Sequence, residues 1–273
     1  MKQLTLFLAV LLIGVFASTP RPAAALKNWP PLLNCSDVNA DGHVDGFDIG
    51  EVVARFGTFY PNEDYLLLYD VWGGGSIDGF DIGNVVGDFG LICPIVDTQV
   101  AQATLAVIKY RDPLVALEDG YIQWSQLIPS MGVHLVNSSR ITDFQPQITN
   151  PAGLLYTANG QLVAVYYLVP TSELCSDLGI EGVCSDLEPV GFGIEDDEDN
   201  IDANSFQTAW HTHPGLCSWD LGTEAATLEE STDETVCTNS GGFWHERYGW
   251  MVHLYNFIPN PAGRFLSWNT NVP

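Results

Sequence analysis

Two stretches of the chain repeat one pattern of polar and apolar positions, 33 residues apart (Asp37 to Asp70). The first is DVNADGHVDGFDIG over residues 37–50, and the second is DVWGGGSIDGFDIG over residues 70–83. Each continues into an apolar segment, DIGEVVARFG or DIGNVVGDFG, with the i, i+3, i+4, i+7 spacing of a helical face, and then a glycine that we expect to end the helix. We expect the two stripes to pack against each other: Ile49, Val52, Val53 and Phe56, and Ile82, Val85, Val86 and Phe89.

The first stretch has the ligand spacing of a twelve-position calcium loop. Ca²⁺ takes six to eight oxygen ligands around a tight turn, and a glycine at position 6 permits that turn. Gly42 occupies position 6, and Val44 at position 8 is expected to face the core. The alternative is a metal-free turn rich in Asp and Asn. Positions 1, 3, 5, 7, 9 and 12 are Asp37, Asn39, Asp41, the carbonyl of His43, Asp45 and Asp48.

The second stretch keeps only part of this set. Asp70, Asp78 and Asp81 stand at positions 1, 9 and 12, whereas Trp72 and Gly74 replace the ligands at positions 3 and 5. Calcium affinity follows the number and charge of the ligands, so we expect this loop to bind Ca²⁺ weakly or not at all. We expect it to serve as a packing half, with Trp72 covering apolar surface.

Residues 35–93 resemble a type I dockerin, a small calcium module with duplicated loop-helix halves. The signature is D-x-N-x-D-G-x-V-D-G-x-D in the first copy, preceded by NWPPLLNC rather than by a helix. The resemblance implies Ca²⁺ as the cofactor and a cohesin-like or other extracellular protein as the partner. Dockerins contact their partner through loop positions 10 and 11, which are Gly46-Phe47 and Gly79-Phe80 here.

The pattern changes after residue 98. TQVAQATLAVIKYRDPLVALEDGY predicts a helix, a break at Pro113 and a second short helix, and LLYTANGQLVAVYYLV predicts a hairpin around Asn159-Gly160. The predicted fold class is α+β: a small all-α loop-helix pair, then a mainly antiparallel β domain, sandwich or barrel-like, with helices at its N-terminal side. The predicted strands are Val133–Val136, Leu154–Thr157, Gln161–Val169, Phe206–His213, Trp250–Phe257 and one near Phe265.

Four histidines stand on these predicted strands and form a candidate transition-metal site. His211 and His213 are two residues apart, so a strand would project both from one face. His134 and His253 lie on two other strands, and convergence of the four imidazoles would suit Zn²⁺, Cu or Fe. The alternative is that they pair with carboxylates or cap strands.

A second resemblance covers residues 98–273. The motifs MGVHLVN, NPAGLLYTANGQLVAVYYLVP and HLYNFIPNPAGRFLSWNTNV resemble an uncharacterised family of exported bacterial proteins, whose histidines carry over to His134 and His253. The resemblance implies that this domain has relatives among exported proteins, but it does not imply a particular reaction.

Charge and cysteines narrow the function classes. Residues 1–25 have a secretory-signal pattern, and the expected domains are therefore the signal 1–25, the dockerin-like module 26–97 and the domain 98–273. An uncleaved N-terminal anchor is the alternative.

Loss of Lys2 and Arg21 with the signal would take the formal charge from −25 to −27, which disfavours nucleic acid and membranes as partners. Export favours disulfides, and we expect sequential pairing: Cys35–Cys93, Cys175–Cys184 and Cys217–Cys237.

These observations predict a secreted, calcium-binding, acidic protein. Its dockerin-like module would mediate extracellular assembly or attachment, and its C-terminal domain would bind a metal or small ligand without turnover. The alternative is a secreted metalloenzyme that uses the four histidines around a metal with an open position. A serine hydrolase is disfavoured because no G-x-S-x-G elbow is present.

Overall fold

The structure is a computed structural model, described here for residues 29–141, 147–172, 175–176, 184, 210–212, 216–219, 227–230, 233–245 and 249–273. The expected signal segment, most of the acidic region between residues 172 and 205, residues 206–209 of one expected strand, and His213 lie outside the described residues. Within the described ranges, no helix has the length and apolar character needed to cross a membrane.

The two repeated stretches form two loop-helix units with matching bounds. Helix α1 covers Gly46–Ala54 and α2 covers Gly79–Gly87. Each helix begins with a capping box, in which the N-cap aspartate accepts from the helix and the aspartate three residues later accepts from the N-cap backbone. Loop position 9 is therefore also the N-cap, and position 12 is also the third helical residue. The same two aspartates therefore set both the spacing of the calcium loop and the start of the helix.

The two units exchange backbone hydrogen bonds across an approximate two-fold relation. The N–H of Gly57 donates to the carbonyl of Ile77 at 2.8 Å, and the N–H of Gly90 donates to the carbonyl of Val44 at 2.8 Å. Both glycines have positive φ, +85° and +87°, which a side chain would disfavour. Val44 and Ile77 at position 8 are buried, as expected for Val44. Each loop is thus held by the end of the other unit's helix.

The expected packing of the two apolar stripes is only half right. Val52 and Val85 are fully buried, and Ile49 and Ile82 are partly buried against the same core. The outer four positions are 49% to 60% exposed. The two valines face solvent within the helices, and each nine-residue helix ends before its phenylalanine. These exposed residues are Val53, Phe56, Val86 and Phe89.

The next segment is helical, with the expected break at Pro113. Helix α3 covers Ile95–Val107, a 3-10 turn continues to Arg111, and α4 covers Pro113–Glu118. Pro113 stands at the first position of α4, where its missing N–H costs nothing, and Asp112 caps that helix. A later short helix, α5, covers Glu234–Asn239.

The described strands form two antiparallel sheets. The larger has the order β1-β2-β3-β4-β9-β5, and the smaller has the order β7-β6-β8. The strands are β1 Ile122–Gln123, β2 Val133–Val136, β3 Gly153–Tyr156, β4 Leu162–Val169, β5 His211–Thr212, β6 Leu216–Trp219, β7 Thr227–Glu230, β8 Phe243–His245 and β9 Trp250–Leu254.

Helices and antiparallel sheets together confirm the α+β class. The hairpin around Asn159-Gly160 is also as expected, since β3 pairs with β4. The segment near Phe265 is a turn and not a strand, although Phe265 is buried. Among the described strands the larger sheet stays open at β1 and β5, so a sandwich or a closed barrel remains a prediction.

The larger sheet has two buried faces. One face joins the loop-helix units and α3 in a single core, with Val165 and Val252 from the sheet, Val44 and Val85 from the units, and Val100 from α3. The other face carries a separate cluster that includes Tyr166 and Met251.

Polar contacts reinforce the shared core. Arg264 forms a 2.7 Å ion pair with Asp97 on α3, and Asp97 accepts from the N–H of Asn34 at 3.3 Å. The three disulfides pair as expected, Cys35–Cys93, Cys175–Cys184 and Cys217–Cys237, which fits an oxidising compartment.

Candidate functional site

The first loop, residues 37–48, folds around the buried carboxylate of Asp37. The N–H of Asp41 lies 3.0 Å from both Asp37 Oδ1 and Asn39 Oδ1, which places these two oxygens side by side. The N–H of Gly42 donates to Asp37 Oδ2 at 2.9 Å, and Gly42 has a φ of +91°. The backbone of positions 5 and 6 thus turns around the side chain of position 1, as the motif predicts.

Position 12 closes the loop from the other side. Asp48 Oδ1 accepts from the N–H groups of Val38 and Asn39 at 2.9 and 3.1 Å, and Oδ2 accepts from the N–H of Asp45 at 2.8 Å. Burial raises the pKa of Asp48, and the nearby charge of Asp37 adds to the rise. A cation beside Asp48 would therefore favour the ionised form of that carboxyl.

The donor chemistry of the first loop suits Ca²⁺, since every proposed ligand is an oxygen and the backbone has the required turn. Among the described residues, however, no three His, Cys, Asp or Glu side chains are arranged as a group able to hold a metal ion. In the first loop, N–H groups occupy both oxygens of Asp48 and one oxygen of Asp45. Calcium binding thus stays a prediction, and it depends on the donor set and the loop backbone.

The second loop, residues 70–81, has a different interior. Asp70 is fully buried, and its Oδ2 accepts from the hydroxyl of Tyr65 at 2.6 Å and from the N–H of Gly75 at 2.7 Å. Its Oδ1 has no hydrogen-bond partner among the described residues. Burial raises the pKa of Asp70 to about 7, and the nearby charge of Asp81 adds to the rise. The hydroxyl of Tyr65 thus occupies one side of the Asp70 carboxylate, where a bound cation would otherwise lie.

Trp72 covers part of one apolar side chain, Phe80, and does not pack into the core. It is 60% exposed and stacks on Phe80, with the ring centroids 5.9 Å apart. Phe80 and its counterpart Phe47, both at loop position 11, are 67% and 75% exposed. Both proposed docking positions therefore present an aromatic ring to solvent.

The large sheet brings together three of the four predicted histidines. His134 on β2 and His253 on β9 are buried, and their Nε2 atoms are 3.4 Å apart. His211 on β5 stacks on His253, with the ring centroids 5.3 Å apart, and its ring nitrogens are 3.3 Å from Ser267 Oγ. We call His134, His211 and His253 the histidine cluster. No three of the described side chains form a metal-holding group here either, and His213 lies outside the described residues.

The approach of His134 to His253 depends on the two strands between them. Neighbouring strands in a sheet are about 4.8 Å apart, so the backbones of β2 and β9 are roughly 14 Å apart. The two imidazoles must therefore extend across β3 and β4 to meet. Tyr166 on β4 lies over Gly153 on β3, where an added Cβ would be 1.8 Å from the tyrosine ring, and donates to the carbonyl of Leu135 at 3.0 Å. The ring lies 5.3 Å from His134 and 5.9 Å from His253, so it forms the floor of the cluster.

Sequence reasoning missed Tyr166, Gly153 and Ser125. Ser125 Oγ lies 3.0 Å from His134 Nδ1 and orients that ring. The only available signal was a glycine inside a strand pattern, which often marks a close approach. Strand register, which decides what approaches, cannot be read from the sequence.

Comparison with known proteins adds no relatives. No family model, no curated protein and no solved structure matches this chain.

Proposed function

We propose that the chain is a secreted calcium-binding protein whose dockerin-like module attaches it to an extracellular partner and whose C-terminal domain binds a metal or small ligand. The observation that carries the proposal is the matched pair of loop-helix units, because each loop is closed by a backbone hydrogen bond to the other unit. A cation that orders the first loop would thereby also order the second unit and the surface that both units present.

The exposed aromatic side chains support the attachment role. Phe47 and Phe80 occupy equivalent loop positions and are both largely exposed. Trp72 stacks on the ring of Phe80 and enlarges the exposed aromatic surface there. Trp72 and Phe80 are in contact on the surface, and contiguous exposed apolar groups often mark an interaction surface. The partner that suits this surface is an extracellular protein with an apolar face, whereas the acidic charge disfavours phosphate-bearing partners.

The test is retention of the mature chain by the outer surface of the cells that produce it, with and without a calcium chelator. We expect retention to need calcium and to be lost in Phe47→Ser/Phe80→Ser. The matched control is Leu114→Ser, since Leu114 is 64% exposed but lies on α4. Retention that is unchanged by the chelator and by the double substitution would contradict the attachment role.

A second candidate, a secreted metalloenzyme, is favoured by the meeting of His134, His211 and His253 on one face of the larger sheet. The enzyme requires a metal at the histidine cluster with an open coordination position and substrate access, whereas the binding protein requires neither an open position nor turnover. His211 is only partly buried, so the cluster has one side toward solvent. Stoichiometric zinc without turnover of any ester, peptide or phosphoester would favour the binding protein.

A further inference from the structure

A small cleft of about 120 Å³ lies where the loop-helix module meets the C-terminal domain. Its lining includes the polar side chains of Tyr60, Gln161 and Arg111. Four buried apolar side chains, two from each part of the chain, also line it: Leu66, Leu67, Leu162 and Phe257. A largely apolar lining with a few placed polar groups is typical of small-molecule sites.

Arg111 differs from the other basic side chains that the structure describes. Each of the other four lies between 2.5 and 3.9 Å from a carboxylate oxygen: Arg55, Lys109, Arg140 and Arg264. Within the described ranges, the guanidinium of Arg111 forms no hydrogen bond and no ion pair. The cleft therefore contains a cation that no carboxylate of the described residues neutralises at close range.

The burial of Arg111 makes this arrangement costly in the empty cleft. The side chain is partly buried, and burial lowers the pKa of its guanidinium, while the nearby charges of Asp64 and Glu63 act in the opposite direction. A partly buried charge is unfavourable unless it is paired and hydrogen-bonded. An anion in the cleft would remove that cost.

The three polar side chains of the cleft stand on fixed backbone. Arg111 ends the 3-10 turn between α3 and α4. Gln161 precedes β4, and its N–H donates to Thr157 Oγ1 at 3.1 Å, whereas the N–H of Tyr60 donates to the carbonyl of Gly75 at 3.0 Å. Gln161 Nε2 lies 3.5 Å from the Tyr60 hydroxyl, so these two groups share one side of the cleft.

We propose that this cleft binds a small organic carboxylate, with Arg111 paired to the carboxylate and with Tyr60 and Gln161 bonded to a second polar group of the ligand. A planar guanidinium donates two parallel hydrogen bonds to a carboxylate, and such charge-assisted bonds are strong. The cleft is smaller than the roughly 300–1,000 Å³ of sites for larger ligands, which limits the ligand to a few carbon atoms.

The charges around the cleft favour a ligand with one negative charge. Arg111 is the only basic side chain among the described residues that line it, and Asp64 and Glu63 lie nearby. A doubly charged anion such as sulfate would therefore be incompletely neutralised. The inference goes beyond the proposed function, because the cleft contains no predicted calcium ligand and no member of the histidine cluster. Its failure would leave the attachment role and the metal question unchanged.

The test uses the mature full-length chain with Ca²⁺ at saturation and at constant ionic strength, titrated with lactate, lactamide or sulfate. Lactate carries one carboxylate and one hydroxyl, lactamide has nearly the same shape without the charge, and sulfate has charge without the shape. We expect calorimetry to show one lactate site per chain, and ¹⁵N spectra to show a shifted Nε–H signal of Arg111. Lactamide and sulfate should bind at least about tenfold more weakly.

Substitutions locate the site. Arg111→Gln should weaken lactate binding at least about tenfold, since a charged hydrogen-bonded pair is lost. The matched control is Lys109→Gln, which removes an exposed positive charge two residues away and outside the cleft, and it should change lactate binding by less than about twofold. Tyr60→Phe should weaken binding of lactate but not of propionate, which lacks the hydroxyl.

The wild type decides if Arg111→Gln fails to fold, through the preference for lactate over lactamide and the shift of the Arg111 signal. No lactate binding, equal binding of lactamide or sulfate, or an unshifted Arg111 signal would overturn the proposal. Equal losses in Arg111→Gln and Lys109→Gln, or an equal effect of Tyr60→Phe on lactate and propionate, would also overturn it.

Discussion

The hydroxyl of Thr98 donates a 2.8 Å hydrogen bond to Asp37 Oδ2, across 61 residues of sequence. Asp37 is position 1 of the first loop, and Thr98 lies in the first turns of α3. Gln102, one turn further along α3, lies 3.4 Å from the carbonyl of Ala40 in the same loop. The first helix after the loop-helix module therefore contacts the predicted calcium loop directly, and the same helix packs in the core that includes the sheet.

The contact between Thr98 and Asp37 predicts that calcium stabilises α3 as well as the loop. In the wild type, Ca²⁺ should slow amide hydrogen exchange in residues 37–48 and in α3. Thr98→Val should keep the first effect, diminish the second, and lower the free energy of unfolding by about 1.5 kcal/mol, since a hydrogen bond to a charged group is lost. Hydrogen exchange followed by mass spectrometry measures both segments.

Thr104→Val is the matched control on the same helix. The hydroxyl of Thr104 bonds to Val100 and Asn256 rather than to the loop, so its loss should destabilise α3 without changing the calcium response. If Thr98→Val and Thr104→Val respond to calcium alike, the link through Asp37 is wrong.

The position of Gly153 under Tyr166 predicts a large effect from a single methyl group. In Gly153→Ala the added Cβ would lie 1.8 Å from the ring, so Tyr166 must move and its hydrogen bond to Leu135 is lost. Overpacking of this kind costs about 1–3 kcal/mol, measurable by chemical denaturation. Gly83→Ala is the control, because an exposed helical glycine with nothing near its Cβ position should gain about 0.5–1 kcal/mol. Equal effects of the two substitutions would show that the Tyr166 ring does not depend on Gly153.

Burial of Asp70 predicts a pH-dependent effect in the second loop. Its pKa in the folded protein is raised from 3.8 to about 7, so the folded protein holds this proton more tightly than the unfolded chain does. The resulting stability is present below the unfolded pKa and is lost as pH rises through about 7. Asp70→Asn should therefore raise Tm above pH 8 in chelator and change it little near pH 4, because asparagine resembles the protonated acid.

Asp64→Asn provides the control for the Asp70 substitution. Asp64 is exposed, so the same loss of one negative charge should change Tm little at either pH. Destabilisation of Asp70→Asn at pH 8 would instead show that the fold needs the ionised carboxylate of Asp70.

Most features predicted correctly are set by contacts close in sequence, and the exception is the Cys35–Cys93 bridge, which spans 58 residues and was expected from the order of the cysteines. The turn of the first loop around Asp37, the helix that follows each loop and the Asn159-Gly160 hairpin all depend on groups within about a dozen residues of each other. The helix break follows from Pro113 alone. For such features, residue type and spacing already determine the hydrogen bonds.

The features missed depend on packing between distant segments. Helix periodicity placed Phe56 on a buried stripe, but α1 ends at Ala54 and the side chain is exposed. The sequence placed His134 and His253 in one candidate site, but the contact between them spans 119 residues and depends on the register of two intervening strands. The sequence indicated that histidines lie on strands, but not which imidazoles face each other.

Calcium calorimetry on the mature chain tests the central claim most directly. We predict one strong site per chain that is abolished by Asp41→Ala in the first loop and kept in Asp78→Ala in the second, together with a fall in Tm when calcium is chelated. No calcium binding, two equally strong sites, or a Tm unaffected by the chelator would contradict the account.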